Sequence, residues 1–289
     1  MHAVTRVPEP FLAMGGALRV HTVPAASDNL VWVAECTATG QAAVIDGPDA
    51  TGALAAVQAH GLELVAIWNT HTHGDHIGIN RDLARQGRLE GLHVVGPASR
   101  AAEVPGLTDP VGEGSVVRLG ELEGRVMLTE GHIDGHVSFV LGDLVFCGDT
   151  MFAGGCGYLF DGPPAKMFDS LLRLAELPGD TRVCCAHEYT QDNLRFAWSV
   201  EPDNAALAER IRRVWAIRAE GGCTVPSTIE EERATNPFLR PGSPTLLASV
   251  EAAVPGADLS TPAAVFAATR RLKDGKAHKA GGDAGLPLD

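Results

Sequence analysis

Apolar residues in the first two thirds of the chain come in short runs set off by turn residues. Residues 18–23, 30–34 and 42–45 read as strands, rich in Val, Leu and Ala. Gly47-Pro48-Asp49 interrupts the pattern, and Asp49 is placed to cap a helix that runs through His60 and stops at Gly61. The run Leu64-Val65-Ala66-Ile67-Trp68 predicts a buried strand, followed by a helix over 77–86. Strands are expected at 94–95, 116–119, 126–128, 137–141 and 144–147, then a helix near 166–176 and a strand at 181–185.

Beyond about residue 190 the period changes. Residues 204–219 carry Leu207, Ile211, Val214, Trp215 and Ile217 at helical spacing, and Gly221-Gly222 ends that helix. A second helix is expected over 261–271. The stretch 277–289 is rich in Ala and Gly and is expected to fray. The chain therefore divides into a mixed α/β unit, 1–188, and a smaller helical unit, 189–289, with no repeat of solenoid period.

Composition narrows the function. A chain of 289 residues with 45% hydrophobic and 20% charged residues can bury an ordinary core. A net charge of -13 argues against a nucleic-acid binder, which needs a phosphate-neutralising surface. An anionic substrate would need its basic partners gathered locally. No apolar run reaches the roughly 18 residues of a membrane span. No basic leader precedes the short Phe11-Leu12-Ala13-Met14 run, so no secretory signal is expected. The six cysteines, Cys36, Cys147, Cys156, Cys184, Cys185 and Cys223, form no CxxC pair and read as reduced, buried thiols of a cytoplasmic protein.

The candidate chemistry lies just after the predicted strands, where loops on a rigid scaffold carry function. Thr70-His71-Thr72-His73-Gly74-Asp75-His76 is followed by His132, Asp149 and His187. In an extended segment His71 and His73, two apart, point the same way and can reach one ion. Asp75 and His76 follow a turn and suit a second ion. Asp149, with two carboxylate oxygens, is the candidate bridge; His132 completes the first group and His187 the second. Imidazoles with one or two carboxylates suit zinc, iron or manganese, and a pair of such ions points to hydrolysis by activated water. His136 ranks second, as a buried support. His2, His21, His60, His93 and His278 stand alone and read as ordinary packing or surface histidines.

The Thr-His-x-His-x-Asp-His segment resembles the metallo-β-lactamase superfamily, and the chain as a whole resembles the glyoxalase II (hydroxyacylglutathione hydrolase) family. The likeness runs through Asp28-Asn29, Gly131-His132, residues 146–152, Gly154-Gly155-Cys156-Gly157, Cys185-Ala186-His187-Glu188-Tyr189-Thr190, residues 193–197, Asn236-Pro237-Phe238-Leu239-Arg240 and residues 270–274. It implies an αββα sandwich carrying two divalent metals, zinc first among them, and a helical C-terminal unit that helps to bind substrate. It implies His71, His73 and His132 on one metal, Asp75, His76 and His187 on the other, Asp149 between them, and Asp75 and Asp149 at the reacting centre. It implies hydrolysis of S-D-lactoylglutathione to D-lactate and glutathione, the detoxification of methylglyoxal, with Tyr158, Tyr189, Arg270 and Lys273 on the glutathione side. A cytoplasmic monomer without nucleic-acid or membrane partners is expected.

Three departures stand out. Tyr158 occupies a position where the family generally has Arg or Lys, removing a charge that would face a glutathione carboxylate. Thr129-Glu130-Gly131-His132-Ile133 replaces Thr-Pro-Gly-His-Thr, and Gly275-Lys276 follows Lys273-Asp274 in place of an aromatic ending. The rival of another class is a one-iron, glutathione-dependent persulfide dioxygenase of the same fold. A lactonase, a β-lactamase, a nuclease and a non-enzymatic metal-binding protein fit the sequence less well.

Overall fold

The structure, a computed structural model, describes residues 3–289; His2 lies outside them. Seven strands build the first sheet in chain order: β1 (Phe11–Ala13), β2 (Leu18–Ala25), β3 (Asn29–Cys36), β4 (Gln41–Ile45), β5 (Glu63–Trp68), β6 (His93–Pro97) and β7 (Asp109–Val111). Helix α1 (Thr51–Ala59) joins β4 to β5 and α2 (Gly78–Arg85) joins β5 to β6, both crossovers between parallel strands. The second sheet begins with β8 (Val116–Leu119), β9 (Leu122–Leu128), β10 (Val137–Leu141) and β11 (Leu144–Gly148). A small hairpin follows, β12 (Met151–Phe152) and β13 (Gly155–Cys156), then α3 (Pro164–Ala175) and β14 (Arg182–Cys185).

The apolar runs are continuous because both faces of the first sheet are covered. Along β3, Leu30, Trp32 and Ala34 enter the core shared with the second sheet, while Val31 and Val33 pack in the layer containing Ala53 of α1 and Ile79 of α2. Residues Ala43 and Ile45 against Ala42 and Val44 divide in the same way along β4. The result is the α/β sandwich of two sheets between helices that the sequence led us to expect. The expected cap at Asp49 is corrected: Ala50 occupies the N-cap of α1 with no side-chain cap bond, and Asp49 sits one residue earlier, its Oδ1 accepting the Thr51 N–H at 2.9 Å in a turn that leads into the helix.

The C-terminal unit contains α4 (Thr190–Val200), α5 (Ala205–Ala219), α6 (Ile229–Thr235), α7 (Pro244–Ala253) and α8 (Pro262–Asp274). Sequence periodicity had marked only α5 and α8; α4, α6 and α7 are short, and apolar spacing over so few turns is a weak signal. The unit also contributes a strand, β15 (Ser227–Thr228), which pairs antiparallel with β14 at the edge of the second sheet. Its Phe196, Phe238, Val265 and Phe266 belong to the same buried cluster as Trp32 and Phe146.

The expectation of a frayed tail is corrected. Leu286 packs against the cluster of Leu194 and Ala197 on α4 with Leu207, Ile211 and Val214 on α5. Asp283 accepts from Arg195 Nε at 2.6 Å and from Trp215 Nε1 at 3.0 Å, and Trp198 Nε1 donates to the Gly285 carbonyl at 2.8 Å. The small side chains of Ala and Gly suggested little packing in the tail, but not the two indole donors waiting on α4 and α5. Deleting 281–289 should therefore cost about 1–2 kcal/mol and lower the thermal midpoint by several degrees, read by circular dichroism; an unchanged midpoint would mean the tail contributes no binding of its own.

Candidate metal centre

All seven candidate metal ligands singled out in the sequence converge at one end of the sandwich. Each follows a strand: the His71 cluster after β5, His132 after β9, Asp149 after β11 and His187 after β14. They form three overlapping groups, His71 with His73 and His132, His71 with His76 and Asp149, and Asp75 with His76 and His187, each with its ligand atoms within 4.8 Å. In the first group His73 Nδ1 lies 3.1 Å from His71 Nε2 and 2.9 Å from His132 Nε2. Three nitrogens on a tetrahedral ion with bonds of about 2.0–2.1 Å would stand about 3.3 Å apart, so the trio is close to a coordination face.

Asp149 faces both the His132 side and the His76–His187 side of the cluster. Its Oδ2 lies 3.4 Å from His132 Nε2, while its Oδ1 lies 3.5 Å from His76 Nε2 and 3.4 Å from His187 Nε2. Asp75 Oδ2 approaches His187 Nε2 at 3.5 Å and His76 Nε2 at 3.7 Å. Among the described residues, His76 Nε2 and Asp149 Oδ1 are buried polar atoms with no hydrogen-bond partner. Unsatisfied groups of that kind are costly unless a cation meets them.

The electrostatics agree. Burial lowers His71 well below the ordinary imidazole range, and the neighbouring imidazoles push it the same way. A neutral ring is the form that binds metal. Burial acts on His76 too, but the carboxylates of Asp149, Asp46 and Asp75 outweigh it and raise His76 to about 9. Three carboxylates around one ring require positive charge, which either a proton or a divalent ion can supply.

Most ligand imidazoles are oriented from the nitrogen that faces away from the ion. Thr70 Oγ1 lies 3.0 Å from His71 Nδ1, Asp46 Oδ2 3.0 Å from His76 Nδ1, and Asp28 Oδ1 2.8 Å from His187 Nδ1. His132 Nδ1 meets the Tyr158 carbonyl at 2.7 Å. Such contacts fix ring orientation and tautomer. Asp46 also accepts from the backbone N–H and the hydroxyl of Thr70, at 2.8 and 2.7 Å. The hydrogen bond from His187 outweighs the opposing effect of burial and draws Asp28 down to about 2. Asn29 Nδ2 donates to Asp75 Oδ2 at 3.1 Å.

Sequence reasoning gave no role to Asp28, Asn29 or Asp46. One local hint exists for Asp46: it sits at φ 54° before Gly47, a left-handed backbone that Asp tolerates better than most residues. Gly148 also has positive φ, and a Cβ there would stand 2.3 Å from Thr70 Oγ1. His136 takes the supporting place expected of it: buried, its Nε2 accepts the Asp149 N–H at 3.1 Å and its ring stacks on His71 with centroids 4.8 Å apart.

The four residues expected on the substrate side separate. Tyr189 stacks on His187 with ring centroids 4.8 Å apart, inside the site. Tyr158 is half exposed and packs edge-on against Phe160, whose ring in turn meets His73 and His132. Arg270 and Lys273 are buried on α8 and are not the solvated helix end that charge alone suggests. Arg270 Nη1 donates to the Cys156 carbonyl at 3.1 Å, and Lys273 Nζ bonds Asn193 Oδ1. Burial, reinforced by Arg270, pulls Lys273 down to about 7. Burial raises the Cys156 thiol, in keeping with no nucleophilic role for it.

Comparison with known proteins adds a second line. Residues 27–187 match the family described as metallo-beta-lactamase superfamily, and residues 188–275 match hydroxyacylglutathione hydrolase C-terminus. The chain is 45% identical over 259 residues to hydroxyacylglutathione hydrolase of Methylococcus capsulatus, covering 89% of this chain and 98% of the relative. It is 47% identical over 257 residues to the protein of the same name from Gloeobacter violaceus, covering 88% and 98%. Among solved structures, ETHE1 from Myxococcus xanthus aligns over 90% of this chain and 95% of its own with a TM-score of 0.55 and 24% identity, a likeness of fold.

Replacing Asp28 by Ala should free the His187 ring and weaken divalent-metal retention about 10–100-fold, the usual cost of losing an orienting partner. Competition with a chelator measures it; wild-type retention would refute the orienting role.

Proposed function

The chain belongs to the hydroxyacylglutathione hydrolase family of the metallo-β-lactamase superfamily, and we propose that it hydrolyses S-D-lactoylglutathione, or a related 2-hydroxyacyl-glutathione thioester, to D-lactate and glutathione. The observation that carries this reading is Asp149, with one carboxylate oxygen turned to each of two ligand groups. His71, His73 and His132 would hold one divalent ion, Asp75, His76 and His187 the other, and Asp149 would join them. Two ions so placed would lower the pKa of a shared water towards neutrality and supply hydroxide at pH 7. The donors suit zinc, and accept iron or manganese.

The protein's own part is to hold and orient. Asp28, Asp46, Thr70 and the Tyr158 carbonyl fix four imidazoles, so little reorganisation is left to the reaction. The leaving group is a thiolate whose conjugate acid titrates near ~8.5 for a cysteine-like thiol, so it departs with little help from a general acid. Tyr189 and Tyr158 flank the centre and would meet the thioester. Arg270 and Lys273 are the cations within reach of the loop at 153–158, and we assign them to the glutathione carboxylates. The unit 1–188 then serves as the catalytic domain and 189–289 as the substrate-binding domain. Every ligand comes from one chain, so a monomer suffices, and the six free cysteines support a reducing, cytoplasmic compartment for methylglyoxal detoxification. No helix among the described residues is long and apolar enough to cross a membrane. Two converging ligand groups favour the hydrolase over the one-iron dioxygenase.

Asp149→Ala should lose metal and thioesterase activity together; full metal content with retained turnover would refute the bridge. Arg270→Ala should raise KM for the glutathione thioester more than it lowers kcat. Lys273 attracts an anion only when protonated, so KM should rise as pH passes above about 7, and Lys273→Met should flatten that profile. A pH-independent wild-type KM would remove Lys273 from the binding site.

A further inference from the structure

The hairpin of β12 and β13 is gripped through its backbone by side chains of the helical unit. Asn193 on α4 donates to the Ala153 carbonyl at 3.0 Å, and Glu232 on α6 accepts the Gly154 N–H at 2.9 Å. Asn236, just past α6, donates to the Gly155 carbonyl at 2.9 Å, and Arg270 reaches the Cys156 carbonyl. All four bonds are buried, and the consecutive residues 153–156 each carry one. Such bonds read the position of the main chain and are indifferent to the side chains of the hairpin.

Glu232 organises this grip. It is fully buried, its Oε2 also accepting from Asn236 Nδ2 at 2.9 Å and its Oε1 accepting from Arg210 Nη2 at 2.6 Å. Arg210, also buried, is fixed at its other terminal nitrogen by Thr235 Oγ1 at 2.6 Å. A buried ion pair adds little stability over apolar packing of the same shape; what this one supplies is a directed acceptor aimed at Gly154. The gripped strand then runs straight into the metal centre. Gly157 fits so closely that a Cβ would lie 2.0 Å from the Asp149 carbonyl and 2.9 Å from His132 Nδ1. The next residue, Tyr158, offers its carbonyl to His132 Nδ1, and the Phe160 N–H returns to the His132 carbonyl at 2.9 Å. His132 is thus tied to this loop through both its ring and its main chain.

We propose that Glu232, outside every ligand group, is a positioning residue for His132, acting through the hairpin backbone that delivers the Tyr158 carbonyl. This inference rests on the two-ion reading above, and its test separates the two. Zinc affinity would be measured by chelator competition on the full-length wild type, Glu232→Gln, Asn236→Ala and, as a reference for loss of one site, His132→Ala. Urea midpoints and the absorption of the cobalt-substituted proteins would be recorded alongside. In Glu232→Gln, one of two equivalents should bind about tenfold or more weakly, as for an orienting partner lost. That equivalent should be the one missing in His132→Ala, its cobalt spectrum should shift, and KM for the thioester should move less than kcat. Asn236→Ala leaves the Arg210–Glu232 pair in place and should show the same selectivity if Glu232→Gln does not fold. Both equivalents retained as in the wild type, both loosened alike, or loss of fold in both variants would overturn the proposal. A wild type that binds fewer than two equivalents would instead bring down the two-ion reading, and this inference with it.

Discussion

Three carboxylates crowded around one buried ring set the terms for this molecule. Asp46, Asp75 and Asp149 all act on His76, and that ring is fully buried. Carboxylates placed so closely repel one another and lose hydration, so the arrangement holds only with positive charge among them and a scaffold stiff enough to resist their separation. Both requirements are visible. The ligands sit just past strand ends of two sheets whose inner faces share one close-packed core, and the far sides of four imidazoles are fixed by a hydroxyl, two carboxylates and a main-chain carbonyl. A divalent ion entering such a frame would meet side chains already in position, which favours its binding.

The helical unit takes part in the same frame. It completes the edge of the second sheet through β15 and shares the central apolar cluster. Its buried polar side chains close on the hairpin that ends beside His132. The cations assigned to substrate are therefore also part of the wall of the metal site. Arg270 holds the Cys156 carbonyl with one nitrogen and pairs with Asp274 through others, at 2.6 Å from Nη2. The α8 cations and the posture of the first ligand group are thus physically joined through one short stretch of main chain.

Much of this was legible in the amino-acid order. Short apolar runs between turn residues announced the strands, and two-residue spacing made His71 and His73 candidates for one ion. The positions of His132, Asp149 and His187, each beyond a predicted strand, marked the remaining candidate donors, because loops at strand ends are where a scaffold carries its chemistry. Other features were silent. Nothing in the spacing of Asp28 or Asp46 ties either to an imidazole, since Asp28 meets a ring 159 positions away. Glu232 looks like one of several acids on a short helix until its burial is known. The tail read as frayed because composition reports propensity, while the indoles of Trp198 and Trp215 that receive it lie far back in the chain.

By itself, then, the sequence determined most of the strands and helices and the candidate donors, because periodicity and side-chain chemistry are local properties of the chain, while the layering was an expectation carried by resemblance. Only the tertiary structure decided which nitrogen of each ring faces inward, which carboxylates stand behind, and how deeply Arg270 and Lys273 lie. Those depend on distances between segments remote in sequence, and such distances exist only once the chain has folded.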